Sequence, residues 1–242
     1  MRSLISSEWL KLRKSRVMWT IFVGPMIGFM VGVAVDVSFP EFQGYEWQYM
    51  MISMSLSYAL IFLPLISGVL ASSICRYEHQ SGGWKQLLTL PVTRGSVFTA
   101  KYIVVLLLVL VIQLLFLVAV YGAGVVKGLT TPFPLEIVWK SILGGWVATF
   151  PLVALQLWMS ILMKNFAGPF AVNVVFTMPS ILAVNSERFG PLYPWAQPFS
   201  MMYIGGSEEV FYVPWEQLLT VVGGGFLVFF MGGYLYFQRK SI

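Results

Sequence analysis

Charge is what this sequence has least of. Asp, Glu, Lys and Arg make up 10% of its 242 residues, and 58% are hydrophobic; a soluble domain carries about 25% charge. With a mean hydropathy of +0.79, that scarcity excludes a water-soluble fold and points to membrane-spanning helices. A single cysteine, Cys75, excludes an internal disulfide and reads as a packed thiol at a helix end. The single histidine, His79, follows Glu78 but lies in no HExxH pattern, which argues against a metal site. No GxxxxGK[ST] stretch occurs, so this chain has no phosphate loop of its own. The apolar runs contain no Asp, Glu, His, Lys or Arg, where a central charge costs roughly 2.5–3.5 kcal/mol. Ion-coupled carriers keep such residues as relays. Their absence, with that of any nucleophile–base pair, argues against an enzyme and for an energy source outside this polypeptide.

What is present is a series of apolar runs near the ~20 residues that a bilayer core requires. They predict an all-α polytopic protein, one domain over 1–242, with six spans at about 17–35, 51–74, 102–126, 141–163, 166–184 and 217–237. The first run follows a basic segment, as in a signal peptide, but it is long for one and no convincing cleavage site follows. It is therefore expected to be retained. Gly24, Gly28 and Gly32 recur every four residues within it and form a flat strip for helix packing. Pro64, Pro151 and Pro169 are expected flex points.

Before the first span, Leu4, Ile5, Trp9 and Leu12 share one arc of a basic amphipathic helix, expected to lie in the headgroup plane. Glu8 falls on that arc. The favoured reading is a solvated or snorkelling carboxylate, and the alternatives are a pair with Lys11 or with a polar group from another segment.

Twelve of the fifteen Lys and Arg residues fall on the side holding both termini, the loop between spans two and three, and Lys164. Only Lys127, Lys140 and Arg188 fall opposite, together with eight of the ten acids. Positive charge stays cytoplasmic, so both termini are expected in the cytosol. The basic residues follow membrane topology, which argues against a nucleic-acid partner.

Gln113, Gln156 and Asn173 are the principal polar side chains inside the spans. They are candidates to line a substrate path, although amides in bundles more often bond a neighbouring helix. In the last outer loop, Tyr193, Trp195, Phe199, Tyr203, Phe211, Tyr212 and Trp215 suggest a segment resting at the membrane surface.

The most informative stretch is 75–101, CRYEHQSGGWKQLLTLPVTRGSVFTAK. Gly82 and Gly83 make a break. Trp84, Leu87 and Leu88 fall on one face of a short helix, Pro91 ends it, and Thr93 is placed to cap the next helix. Such a helix suits a groove on a partner protein or the lipid headgroups, with Trp84 as an anchor.

The run EHQSGGWKQLLTLPV, with SEWLKLRKSR near the N-terminus, resembles the permeases of ABC-2 type transporters. The likeness is greatest to the lantibiotic-immunity and bacitracin-resistance branch. In outline it covers the whole chain; at residue level it is specific only in these two segments. It implies a cytoplasmic coupling helix containing Trp84, Lys85, Leu87, Leu88 and Leu90, bounded by Gly83 and Pro91 and flanked by Glu78 and Arg94. It further implies pairing with a second permease, identical or related, and docking on a cytosolic ABC ATPase that carries ATP-Mg, this chain binding no cofactor. The expected function is ATP-driven export of an amphipathic peptide antibiotic across a bacterial cytoplasmic membrane, with membrane lipid as surroundings. The alternative is a non-transporting scaffold or sensor whose 75–101 loop recruits a cytosolic regulator.

Overall fold

The computed structural model describes residues 1–39, 42–80, 82–186, 188–203 and 214–240, with the Leu88 side chain outside the description. The described residues form helices, turns and irregular segments, with no strand. Helix α1 (Arg2–Arg13) precedes a 3₁₀ segment, Arg16–Phe22, that leads into α2 (Val23–Ala34). Helices α3 (Glu46–Ser57) and α4 (Leu63–His79) are joined by a π-helical turn, Tyr58–Phe62. The short α5 (Gly83–Leu88) precedes the long α6 (Arg94–Lys127) and α7 (Leu135–Leu162). Then come α8 (Ala167–Thr177), α9 (Ser180–Ala183), α10 (Gln197–Met202) and α11 (Trp215–Arg239).

Among the described residues, five helical segments are long and apolar enough to cross a bilayer: Arg16–Ala34, Glu46–His79, Arg94–Lys127, Leu135–Leu162 and Trp215–Arg239. The fifth expected span is shorter. Ala167–Ala183 reaches about 25 Å at 1.5 Å per residue, less than a ~30 Å hydrocarbon core, and is interrupted between Thr177 and Ser180.

Helix α6 is the central post of the core, packing against α2 and α7; α7 in turn holds α4, α10 and α11. The glycine strip of α2 faces inward. A Cβ on Gly28 would meet the Phe116 ring at 2.8 Å, and one on Gly32 would meet Met54 Sδ at 2.7 Å and Ala123 Cβ at 2.9 Å. Gly24 lies against Tyr58 and Ile66. The ring of Tyr58 stacks on Phe116 with centroids 3.9 Å apart, so α2 presses directly on the aromatic pair joining the π-turn to α6.

Pro64 shapes the backbone of the second span, and its consequences can be traced. Pro64 has no N–H to give to the carbonyl one turn earlier, that of Leu60. The Ser180 hydroxyl lies 3.2 Å from that carbonyl and 2.6 Å from the Thr177 carbonyl, its one proton shared between them, and the irregular backbone is a π-turn. The outer aromatic segment departs from expectation. Trp195 and Phe199 are buried, and all of α10 is buried against α7. The Ser141 hydroxyl donates to the Met202 carbonyl at 2.8 Å. The segment turns back into the bundle because its rings find protein partners: Trp195 stacks on Phe176 at 5.1 Å. Phe211 and Tyr212 lie outside the described residues.

The α2 strip predicts that Gly28→Val lowers the thermal unfolding midpoint of the detergent-solubilised chain, at a cost of about 1–3 kcal/mol for overpacking. Gly44→Ala meets no atom within 4 Å, but its φ of +88° makes it a backbone-strain control with a smaller loss.

Candidate functional site: the rooted loop between α4 and α6

The loop begins where α4 ends. Gly82 adopts φ +71°, a conformation open to glycine at little cost, and this folds the chain back onto α4. The return is tight: a Cβ on Gly83 would lie 2.8 Å from the Tyr77 carbonyl oxygen and 2.9 Å from Glu78 Cα. Helix α5 lasts fewer than two turns and ends before Pro91. Thr93 then caps α6, its hydroxyl oxygen accepting from the Ser96 N–H at 3.2 Å.

Trp84 points inward. It is 7% exposed, lies 5.0 Å from the Phe237 ring of α11 and has the Lys101 ammonium 5.6 Å above it, within cation–π reach. Its indole N–H donates to His79 Nδ1 at 3.2 Å, and His79 Nε2 is 2.7 Å from the Ser160 carbonyl oxygen of α7. A carbonyl only accepts, so Nε2 carries the proton and Nδ1 accepts; His79 is neutral in this arrangement. One tryptophan thus ties the loop to α4, α7 and α11.

Beneath it lies a cluster of four charges. The Lys101 ammonium donates to Glu8 Oε2 at 2.7 Å and to the Ile74 carbonyl at 2.8 Å, and lies 3.0 Å from Glu78 Oε1. Lys11 is 2.7 Å from both Glu8 Oε1 and Glu78 Oε1. Lys101 is 0% exposed, Glu8 1% and Glu78 3%. The favoured sequence reading of Glu8 as a solvated or snorkelling carboxylate is therefore corrected. Glu8 is buried because Lys101, seven residues into α6, needs a counter-charge, and α1 carries it there.

The remaining loop residues divide by face. Lys85, Gln86, Thr89, Leu90 and Pro91 are exposed, Leu90 by 54%. Leu87 is half-buried and helps to line a groove of about 520 Å³ between α5 and α1, with Ser7, Lys11, Gln86 and Leu90. Arg94 turns to the C-terminal end of α11, donating to the carbonyls of Phe237 at 3.3 Å and Gln238 at 3.2 Å, and to that of Lys240. The Phe237 and Gln238 carbonyls belong to the last turn of α11 and have no partner within their own helix. Both chain ends and the loop therefore share one end of the bundle.

Gln113, Gln156 and Asn173 are all buried, and each bonds to a neighbouring element. Asn173 Nδ2 donates to the carbonyls of Pro64 at 2.9 Å and Leu65 at 3.3 Å. Its Oδ1 accepts from Gln156 Nε2 and Trp195 Nε1, both at 2.7 Å. Gln113 Oε1 accepts from the Tyr58 hydroxyl at 3.1 Å. Asn173 and Gln156 thus join α4, α7 and α8 to one another, and Gln113 joins α6 to the π-turn.

Sequence reasoning singled out Glu78, Trp84 and Arg94 and weighed a Glu8–Lys11 pair as an alternative, which the structure contains, but it gave no roles to Lys101, His79 and Phe237. The available signal was Glu8, an acid on an otherwise apolar arc. Removing one member of a buried ion cluster leaves the others uncompensated, at a cost of about 3–5 kcal/mol. Lys101→Met is therefore expected to depress the unfolding midpoint sharply, whereas Lys140→Met, in an exposed pair with Glu136, leaves it unchanged. Fluorescence-monitored unfolding of the two purified variants checks the difference.

The loop, its flanks and α1 lie within the region that matches a known family. The model described as ABC-2 family transporter protein matches residues 4–180. The chain is also 29% identical over 140 residues to the bacitracin transport permease protein BCRB of Bacillus licheniformis. That match covers 57% of this chain and 66% of the relative, so it spans just under two thirds of the relative's length.

Proposed function

The chain belongs to the ABC-2 transporter family and forms a transmembrane subunit of an ABC transporter, and on that footing we propose an ATP-driven exporter of membrane-active peptide antibiotics. The reading places the protein in a bacterial cytoplasmic membrane, with the termini and α5 in the cytosol. There α5 meets an ATPase subunit that holds ATP-Mg, and a second permease chain completes the pathway. The peptide class is argued from the similarity to a bacitracin transport permease and from spans whose middles carry no charge.

One observation carries the coupling role: α5 and the turn that follows it present Lys85, Gln86, Thr89 and Leu90 outward while Trp84 roots α5 inward. A short helix seated on a rigid base, with an adaptable outer face, is a suitable docking element. A push on α5 reaches α7 and α11 through Trp84, His79 and Phe237. It reaches α6 and α1 through Glu78, Lys101 and Glu8. ATP binding and hydrolysis in the partner would move this unit, and the helices tied to it would rearrange around the peptide.

Leu90→Arg places a charge on the exposed face without entering the core. It is expected to abolish co-purification of the ATPase and peptide resistance in cells, with the permease still folded and inserted. Retention of both at wild-type level would remove α5 as the docking element, and capture of a partner lacking a nucleotide-binding loop would favour the scaffold reading. A Gln86→Cys variant is expected to react with a membrane-impermeant maleimide only in inside-out vesicles; labelling in intact cells would reverse the topology.

A further inference from the structure

On the side of α5 away from α1 lies a second recess, about 350 Å³, lined by Glu78, His79, Gly82, Trp84, Lys85, Lys164 and Lys240. It draws on four parts of the chain. The end of α4 supplies the floor, α5 gives Trp84 and Lys85, the turn after α7 gives Lys164, and the residue after α11 gives Lys240. Its volume falls within the ~300–1,000 Å³ typical of small-ligand sites.

Three lysines line this recess with little acidic charge to balance them. Among the described residues, Lys85, Lys164 and Lys240 form no ion pair. Among the described residues Glu78 is the only acid in the lining; its Oε1 is held by Lys11 and Lys101, and its Oε2 is buried away from the recess surface with no hydrogen-bond partner among them. His79 offers no free donor, since its N–H is spent on the Ser160 carbonyl and its other nitrogen on Trp84. The Lys240 ammonium donates to the Ile161 carbonyl and lies 5.8 Å over the Tyr236 ring. Burial pushes its pKa below the ordinary lysine value, and the charge of Lys164 adds to that effect.

The location narrows the ligand. Lys164 lies two residues beyond α7 and Lys240 one beyond α11, where apolar helices give way to headgroups. Trp84 contributes an aromatic wall. We propose that this recess binds the phosphate of an anionic phospholipid headgroup, with Lys85, Lys164 and Lys240 as its cationic contacts. The inner leaflet is rich in such lipids, and basic pockets between helix ends are their usual receptors. A lipid seated there abuts Trp84 and so braces the loop on the side away from α1. The site follows from the topology above but does not depend on the ATPase reading.

The test uses the full purified chain without any ATPase. Native mass spectrometry measures retention of phosphatidylglycerol against phosphatidylcholine of the same acyl chains. Wild-type protein is expected to prefer phosphatidylglycerol. Lys85→Gln and Lys164→Gln, both at exposed side chains, are each expected to weaken it about fivefold, and the pair about 25-fold. Lys85→Arg/Lys164→Arg keeps the preference, and unfolding midpoints confirm that the variants are folded. Equal retention of the two lipids by wild type, or undiminished phosphatidylglycerol binding by the double Gln variant, overturns the proposal. Complete displacement of the lipid by equimolar inorganic phosphate also overturns it, assigning the site to a free anion. So does a wild type without lipid preference whose double Gln variant loses ATPase in pull-down, since the lysines then belong to a protein contact.

Discussion

Lys101 cannot be buried alone, and the architecture of one end of this protein follows from that constraint. A desolvated ammonium costs several kcal/mol unless opposite charges and further acceptors surround it at hydrogen-bond distance. Here Glu8 arrives on α1, Glu78 on α4 and the Ile74 carbonyl from the same α4 turn. None of these elements is fixed by its own hydrophobic pattern to the accuracy that 2.7–3.0 Å contacts demand. The cluster acts as a register pin: α1, α4 and α6 either meet in this arrangement or leave a charge stranded. Lys11 completes the balance, so that two cations face two anions.

The cluster also explains why a loop helix of six residues is an ordered element. Isolated helices of that length do not persist in water. Helix α5 is held from below by Trp84, which sits over Lys101 and bonds to His79. It is held at its ends by the Gly82 turn and the Thr93 cap. Any partner that displaces α5 must therefore act on α4, α6, α7 and α11 together. Deeper in the bundle the ties are of another kind. Asn173 gathers two backbone carbonyls, an amide and an indole, and Ser180 answers the carbonyl left free by Pro64. Neutral groups serve there, and the ion cluster is confined to the basic end, because charge is costliest at the bilayer centre.

Much of this was legible in the chain itself. The limits of α5 and the start of α6 follow from Gly82, Pro91 and Thr93, each acting on its immediate neighbours, so local chemistry sufficed. The apolar runs marked all six helical segments. The fifth is broken after Thr177 within a run that stays apolar throughout, and hydropathy does not register a change in backbone path. The outer aromatics were misplaced for a similar reason. A tryptophan has the same preference for an interface and for a protein pocket that accepts its N–H, and only the position of Asn173 decides between them.

By itself, then, the amino-acid order determined the all-helical membrane class, the helix boundaries around the loop and the collection of positive charge toward one end. These depend on residue composition, 3.6-residue periodicity and capping groups within a few positions of one another. The tertiary structure alone decided that Glu8 meets Lys101, 93 residues away, and that Trp84 faces inward. It also decided that Lys85, Lys164 and Lys240 share a recess. Such pairings carry no local signature: their energy appears only when distant segments are desolvated together, and charge and shape are then matched in three dimensions.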